Sequence, residues 1–230
     1  MSTYVITGCN RGIGLALTSA LVKQGHFVIG TCRNHEGARD LWELESLYKE
    51  QLAVCEMDVT EEEGVEKLKS FVVQKANGVD VLINNAGVGG APSSFLETSF
   101  ENIMKVMEVN LMGPINVTRA LLSEVKKSSN PKVVNISSKM GSIADNSSGG
   151  SYAYRMSKAA LNMFNKGFAV ENPQIISVVV HPGWVKTDMG GPNAPTGVYQ
   201  SAEGIIEVIK KLHSSNSGGF YDFQGNSIPW

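Results

Sequence analysis

Tyr154 and Lys158 stand four residues apart in the stretch Ser151-Tyr152-Ala153-Tyr154-Arg155-Met156-Ser157-Lys158. On a helix that spacing places the phenol and the ammonium one turn apart on the same face. A neighbouring positive charge favours phenolate, so the pair is expected to pull the tyrosine pKa down from about 10. The result would be a proton donor that works near neutral pH. Tyr152 falls on a different helical face and suits packing or a substrate wall. The spacing alone is ordinary, because helices carry such pairs without any chemistry.

A second group of residues asks for a phosphate. Thr7-Gly8-Cys9-Asn10-Arg11-Gly12-Ile13-Gly14 follows a short apolar run and precedes an amphipathic stretch. Glycines between a first strand and a first helix let the backbone turn sharply and bring a helix N-terminus against a pyrophosphate. Here the pattern is Gly-x-x-x-Gly-x-Gly, not the common Gly-x-Gly-x-x-Gly. Cofactor choice rests on the end of the second strand, where NAD binders commonly carry a carboxylate for the ribose 2′-hydroxyl. This chain has Thr31-Cys32-Arg33-Asn34, with no carboxylate before Glu36. Arg33, with Arg11 able to approach the same region, suits a 2′-phosphate through charge and paired hydrogen bonds. NADP(H) is therefore the expected cofactor. Asp58-Val59 ends the third strand, where an adenine edge would lie and Asp58 could accept from its amino group.

The elements that must hold these groups alternate along the chain. Apolar runs at 3–7, 27–32, 53–58, 79–84, 132–137, 175–181 and 219–221 are expected strands. Amphipathic stretches at 12–24, 37–47, 61–76, 99–127, 150–171 and 201–213 are expected helices. Val81-Leu82-Ile83 and Val178-Val179-Val180 are apolar on both faces, as a parallel sheet covered on both sides requires. The pattern predicts one α/β domain over residues 1–230, a doubly wound parallel sheet (Rossmann-type) of about seven strands. Glycine-, serine- and proline-rich segments at 87–94, 145–151 and 189–197 follow strands, where such folds place the walls and lids of a ligand crevice.

Composition narrows the function. Among 230 residues the formal net charge is −2, so no basic surface argues for nucleic acid or anionic lipid. No apolar run approaches the roughly 20 residues that span a bilayer, and the first residues lack a signal-peptide pattern. Cys9, Cys32 and Cys55 are odd in number and show no metal-binding spacing, which fits reduced thiols in the cytoplasm and no metal site.

Asn84-Asn85-Ala86-Gly87 follows the fourth strand. With the glycine loop, Tyr154-x-x-x-Lys158 and Pro182-Gly183-Trp184-Val185-Lys186-Thr187, it makes the chain resemble the short-chain dehydrogenase/reductase family. Thr-Cys-Arg-Asn and Tyr-Ala-Tyr-Arg-x-Ser-Lys are similar to its sniffer-like carbonyl reductases and C-factor-like proteins. The resemblance implies a catalytic set of Asn110, Ser138, Tyr154 and Lys158. Asn110 would hold a water of a proton relay behind the lysine. Ser138, rather than its neighbour Ser137, would bond the substrate oxygen. Tyr154 would donate a proton to it, and Lys158 would tune Tyr154 and grip the nicotinamide ribose. Asn85, Ala86, Gly87, Pro182, Gly183, Val185 and Thr187 would complete the cofactor site, with Val185 and Thr187 at the carboxamide.

The implied activity is NADPH-dependent reduction of a small carbonyl compound, an aldehyde, ketone or quinone. A 3-oxoacyl reductase, an alcohol dehydrogenase, or an NADP(H)-binding signalling protein without catalysis would carry many of the same motifs. Ser138 and Tyr154 lie sixteen apart, about three more than usual in the family, and the excess falls in 140–151. That leaves the chemistry intact and the shape of the substrate mouth open. Met140, Tyr152, Trp184 and Met189 are candidates for an apolar pocket, and the short segment 189–196 suggests an open site. By resemblance a homodimer is expected, a tetramer being the alternative, through the helices bearing Asn110 and Tyr154.

Overall fold

Leu82 and Ile83 are neighbours in one strand, yet they serve different cores, because successive strand side chains point to opposite faces. The computed structural model, which describes residues 1–90 and 94–230, shows why both faces must be apolar. Seven strands form one sheet: β1 (Thr3–Ile6), β2 (Phe27–Cys32), β3 (Leu52–Glu56), β4 (Val81–Asn84), β5 (Lys132–Ile136), β6 (Ile176–His181) and β7 (Phe220–Asp222). Their order is β3-β2-β1-β4-β5-β6-β7, and every neighbouring pair is parallel. The seven-stranded, doubly wound expectation is met. Chain direction across the sheet reverses between β1 and β4, the switch point where such sheets open a crevice.

Helices cover both sides. Helices α1 (Gly12–Lys23), α2 (Arg39–Leu47) and α7 (Val198–Lys211) close one face, where Leu17, Leu21, Leu41, Ile205 and Ile209 meet Ile6, Val178 and Val180. Helix α3 (Glu62–Lys75) packs on the other, joined by α5 (Gly113–Val125) and α6 (Tyr152–Glu171). There Leu68, Val117 and Leu121 meet Val5, Leu82 and Val133.

One expected element is not continuous. The stretch predicted as a single helix over 99–127 is α4 (Phe100–Met107), a π-helical turn at Glu108–Met112, and then α5. Its start is capped by the Ser99 hydroxyl, which accepts from the Asn102 N–H. The break has a local cause. An α-helix would bond the Asn110 carbonyl to the N–H of residue 114, but Pro114 has none. Asn110 sits inside that turn and is fully buried.

Candidate active site

The glycine loop is shaped by close approaches. Gly8 has φ +71°, and a Cβ on it would lie 2.9 Å from Ala86 Cα. A Cβ on Gly14 would lie 2.2 Å from the Gly8 carbonyl oxygen and 2.6 Å from Asn85 Nδ2. Asn85 holds the loop in place: its Nδ2 donates to the carbonyls of Thr7 (2.8 Å) and Gly8 (3.0 Å). The Thr7 hydroxyl oxygen accepts the N–H groups of Asn85 and Ala86. The motif after β4 therefore braces the motif after β1.

Above this brace lies a cleft of ≈ 520 Å³ at the carboxyl ends of the strands. Gly8, Asn10, Arg11, Gly12, Ile13 and Gly14 line it from the loop, and Arg33, Asp58 and Val59 from the ends of β2 and β3. Asn85, Ala86 and Gly87 form the middle, Tyr154 and Lys158 the far end, and Pro182 and Thr187 the wall after β6. Four expected residues lie just behind these walls. Gly183 takes φ +89° against Phe223, Val185 is buried, and Asn110 and Ser138 stand beneath and beside the lysine and tyrosine.

At the cofactor end, no described residue bonds the exposed guanidinium of Arg33. Arg11 instead pairs with Asp188, across the cleft from the loop. Asp58, which lines the cleft, accepts at Oδ1 from the Thr60 N–H (2.9 Å) and hydroxyl (2.8 Å), and no described residue donates to its Oδ2. A glycine cradle, an unpaired arginine and a carboxylate oxygen at this spacing fit a dinucleotide with a 2′-phosphate. Among the described residues no cluster of three metal-ligating side chains forms.

At the chemical end, Lys158 Nζ donates to the Ile136 carbonyl (2.9 Å) and lies 5.7 Å from the Tyr154 ring centre. Burial pushes the ammonium down to about 8. Burial likewise pushes the Tyr154 phenol up, and the neighbouring Ser138 hydroxyl offsets only part of that rise. Burial thus works against the expected lowering of the tyrosine, and it drives both groups toward their neutral forms. A neutral phenol is the form that can donate a proton.

The two serines part company. Ser138 Oγ accepts from the Met140 N–H (3.1 Å) and caps the short 3₁₀ turn Lys139–Gly141 beside Tyr154. Ser137 also lines the cleft, but its hydroxyl donates to Asn162 Oδ1 (2.6 Å) in the interior. Asn110, an exposed amide on the simplest reading of a mid-helix asparagine, is spent on the backbone instead. Its Oδ1 accepts from the Val88 N–H (2.8 Å), and its Nδ2 donates to the Val88 carbonyl (2.9 Å) and Ser157 Oγ (3.0 Å). A Cβ at Gly87 would sit 3.2 Å from Asn110 Oδ1 and 3.7 Å from Lys158 Nζ, so these three groups are stacked.

A set of positioning residues was missed from the sequence. Asn84 Nδ2 donates to Thr118 of α5 and to Asn135 of β5, and Asn135 donates to Asn165 of α6. Asn165 also accepts the Ser177 hydroxyl (2.8 Å). Directional bonds of this kind set where α5, which follows the π turn of Asn110, and α6, which carries Tyr154 and Lys158, sit on the sheet. The available signal was a polar residue at an inward position of an otherwise apolar strand.

Among the four apolar residues expected at the mouth, Met189 lines the cleft, while Met140, Tyr152 and Trp184 are not among its lining residues. Of 87–94, residues 91–93 lie outside the described residues; beyond them Phe95 meets Tyr152 edge-on at 5.8 Å. After β6, Trp184 Nε1 donates to the Gly190 carbonyl, and Met189 reaches over Gly89. The loop 140–151 is clasped by Arg155, whose guanidinium donates to the carbonyls of Met140, Gly149 and Gly150 and to the Ser148 hydroxyl.

The comparisons with known proteins agree with this geometry. The family model described as short chain dehydrogenase matches residues 2–196. The C-signal protein of Myxococcus xanthus is 41% identical over 166 residues, spanning 71% of this chain and all of that protein. The solved carbonyl reductase Sniffer of D. melanogaster is 35% identical with a TM-score of 0.94, covering 100% of both chains. An NADPH-bound carbonyl reductase from chicken fatty liver is 30% identical with a TM-score of 0.95, covering 100% of this chain and 99% of that one.

Proposed function

The chain belongs to the short-chain dehydrogenase/reductase family, and from that premise we propose that it is an NADPH-dependent reductase of small aldehydes, ketones or quinones, acting as a single domain over residues 1–230. The observation that carries the reading is the half-buried Tyr154, beside Ser138 and backed by Lys158, at one end of a cleft whose other end presents an Arg33 that no described residue bonds. NADPH supplies a hydride when bound. Ser138 and Tyr154 donate to the substrate oxygen as negative charge grows on it, where positioned donors act most strongly. Tyr154 then gives up its proton as general acid. Lys158 grips the ribose and returns a proton to the phenolate, and is itself resupplied by a water that we place at the carbonyl of Asn110, which Pro114 deprives of its α-helical donor. Thr187 and the Val185 backbone orient the carboxamide, and Arg33 takes the 2′-phosphate. The NADPH in the chicken reductase structure supports the cofactor choice.

We place the protein in the cytoplasm, in keeping with three free, buried cysteines; no helix among the described residues is long and apolar enough to cross a membrane. We propose a homodimer through α4–α6, whose Phe100, Met104, Met112 and Met163 are exposed. A second reading, an NADP(H)-binding signalling protein, draws on the likeness to C-signal. One assay separates them: a panel of aldehydes, ketones, quinones, 3-oxoacyl esters and alcohols, followed at the nicotinamide absorbance. The reductase reading expects turnover with NADPH, lost by about 10²-fold or more in Tyr154→Phe with NADPH binding retained. It also expects Arg33→Ala combined with Arg11→Ala to shift preference toward NADH. NADPH binding with no turnover of any compound refutes it and leaves the signalling reading.

A further inference from the structure

The residues after β7 turn back along it. Asp222 Oδ1 accepts the N–H groups of Gln224 and Asn226 (both 2.9 Å) and closes the turn. The Asp222 N–H then donates to the Asn226 carbonyl (2.9 Å), and the Ile228 N–H to the Phe220 carbonyl (2.8 Å). The Trp230 ring stacks on buried Phe220 with centres 5.5 Å apart. This return strand places two backbone carbonyls against the loop 140–151. The Ser142 hydroxyl, 1% exposed, donates to the Pro229 carbonyl (2.6 Å) and accepts the Asp145 N–H (3.1 Å). The Ala144 N–H donates to the Trp230 carbonyl (2.9 Å).

The same loop joins Ser138 to Tyr154 and contains the residues by which that interval is enlarged. Its far part, 148–150, is held by Arg155. Its near part is held by the return strand and by an exposed Lys139–Asp145 ion pair, a kind of contact that contributes little. Ordering a loop of this length costs backbone entropy that its contacts must offset. For 142–144 the buried Ser142 bond and the Trp230 carbonyl are those contacts.

We propose that the return strand, through Pro229 and Trp230, is the positioning element of the substrate loop and sets which carbonyl compounds reach Tyr154. Trp230 is a positioning residue: it touches neither cofactor nor reacting atoms, and it acts by fixing Ser142–Ala144 beside Ser138. The inference rests on the carbonyl-reductase reading of that site, so its test has one arm that needs no turnover. Hydrogen exchange of the loop amides is followed in wild type, Trp230→Ala, Trp230→Phe and Ser142→Ala, together with KM and kcat for small and bulky carbonyls and NADPH affinity. Trp230→Ala is expected to speed exchange at Ala144 and Asp145 by about tenfold, the equivalent of one lost hydrogen bond. It should change the ratio of KM values between bulky and small substrates, with NADPH affinity kept, and Trp230→Phe should restore both. If Trp230→Ala does not fold, Ser142→Ala carries the same expectation through the hydroxyl alone. Unchanged loop exchange, or faster exchange with an unaltered substrate profile, overturns the proposal. A wild type that reduces no carbonyl but shows the exchange pattern refutes the reductase reading while supporting the hold of the tail on the loop.

Discussion

Lys158 should make the stability of this protein rise with pH between about 8 and 10.5, and Lys158→Met should remove that dependence. The ammonium is 5% exposed, and the Ile136 carbonyl is its hydrogen-bond partner among the described residues. Burial lowers its pKa from 10.5 to about 8. Below pH 8 folded and unfolded chains both hold the proton, and the folded chain bears the full desolvation penalty. Between 8 and 10.5 the unfolded chain binds more protons than the folded one, so stability rises with pH. Above 10.5 both are neutral and the penalty has gone. A descent from 10.5 to about 8 corresponds to about 3 kcal/mol. Of this, about 2 kcal/mol falls between pH 8 and 10. Methionine removes the charge and leaves the Ile136 carbonyl without its donor, a pH-independent loss of about 1–3 kcal/mol. At pH 7 the penalty of about 3 kcal/mol equals or exceeds that loss, so the variant should match or exceed wild type. By pH 10 the balance should have moved toward wild type by about 2 kcal/mol. The measurement is urea unfolding of both proteins without cofactor from pH 7 to 10, read as their difference so that other titrating groups drop out. A difference that is flat in pH would refute a desolvated lysine at this site.

Two further substitutions probe the walls of the cleft. Gly14→Ala puts a Cβ 2.2 Å from the Gly8 carbonyl oxygen. It should weaken NADPH binding by tenfold or more and destabilise by about 1–3 kcal/mol, checked by fluorescence titration and thermal unfolding; native affinity would show that the cradle is loose. Ser138→Ala should lose about 10²-fold or more of turnover, whereas Ser137→Ala, whose hydroxyl serves Asn162, should keep turnover and lose about 1 kcal/mol of stability. Measuring kcat and unfolding for both variants decides the assignment, and the reverse pattern would exchange the roles of the two serines.

Much of the site was legible because its signals are local. A four-residue spacing puts Tyr154 and Lys158 on one helix face wherever the helix goes, and glycines between a strand and a helix make a phosphate cradle in nearly any parallel sheet. Apolar strands such as Val81-Leu82-Ile83 announce a sheet covered on both faces. Periodicity could not show the π turn at Asn110, because amphipathic spacing runs through it undisturbed. Pro114 was the readable sign. Nor could it show the Asn84–Asn135–Asn165 ladder, whose members come from separate strands and a helix.

The chain by itself determined the fold class and the family, and it pointed to the glycine loop and the candidate donor groups, since each depends on residues close in sequence. Tertiary structure alone decided the protonation tendencies of Tyr154 and Lys158, because desolvation belongs to the whole packed surroundings and not to a spacing within one helix. It alone decided that Arg11 meets Asp188 and that Ser142 meets Pro229. Those pairs are brought together by the order of the strands, which places distant loops at one edge of the cleft, and no spacing within an element encodes such a meeting.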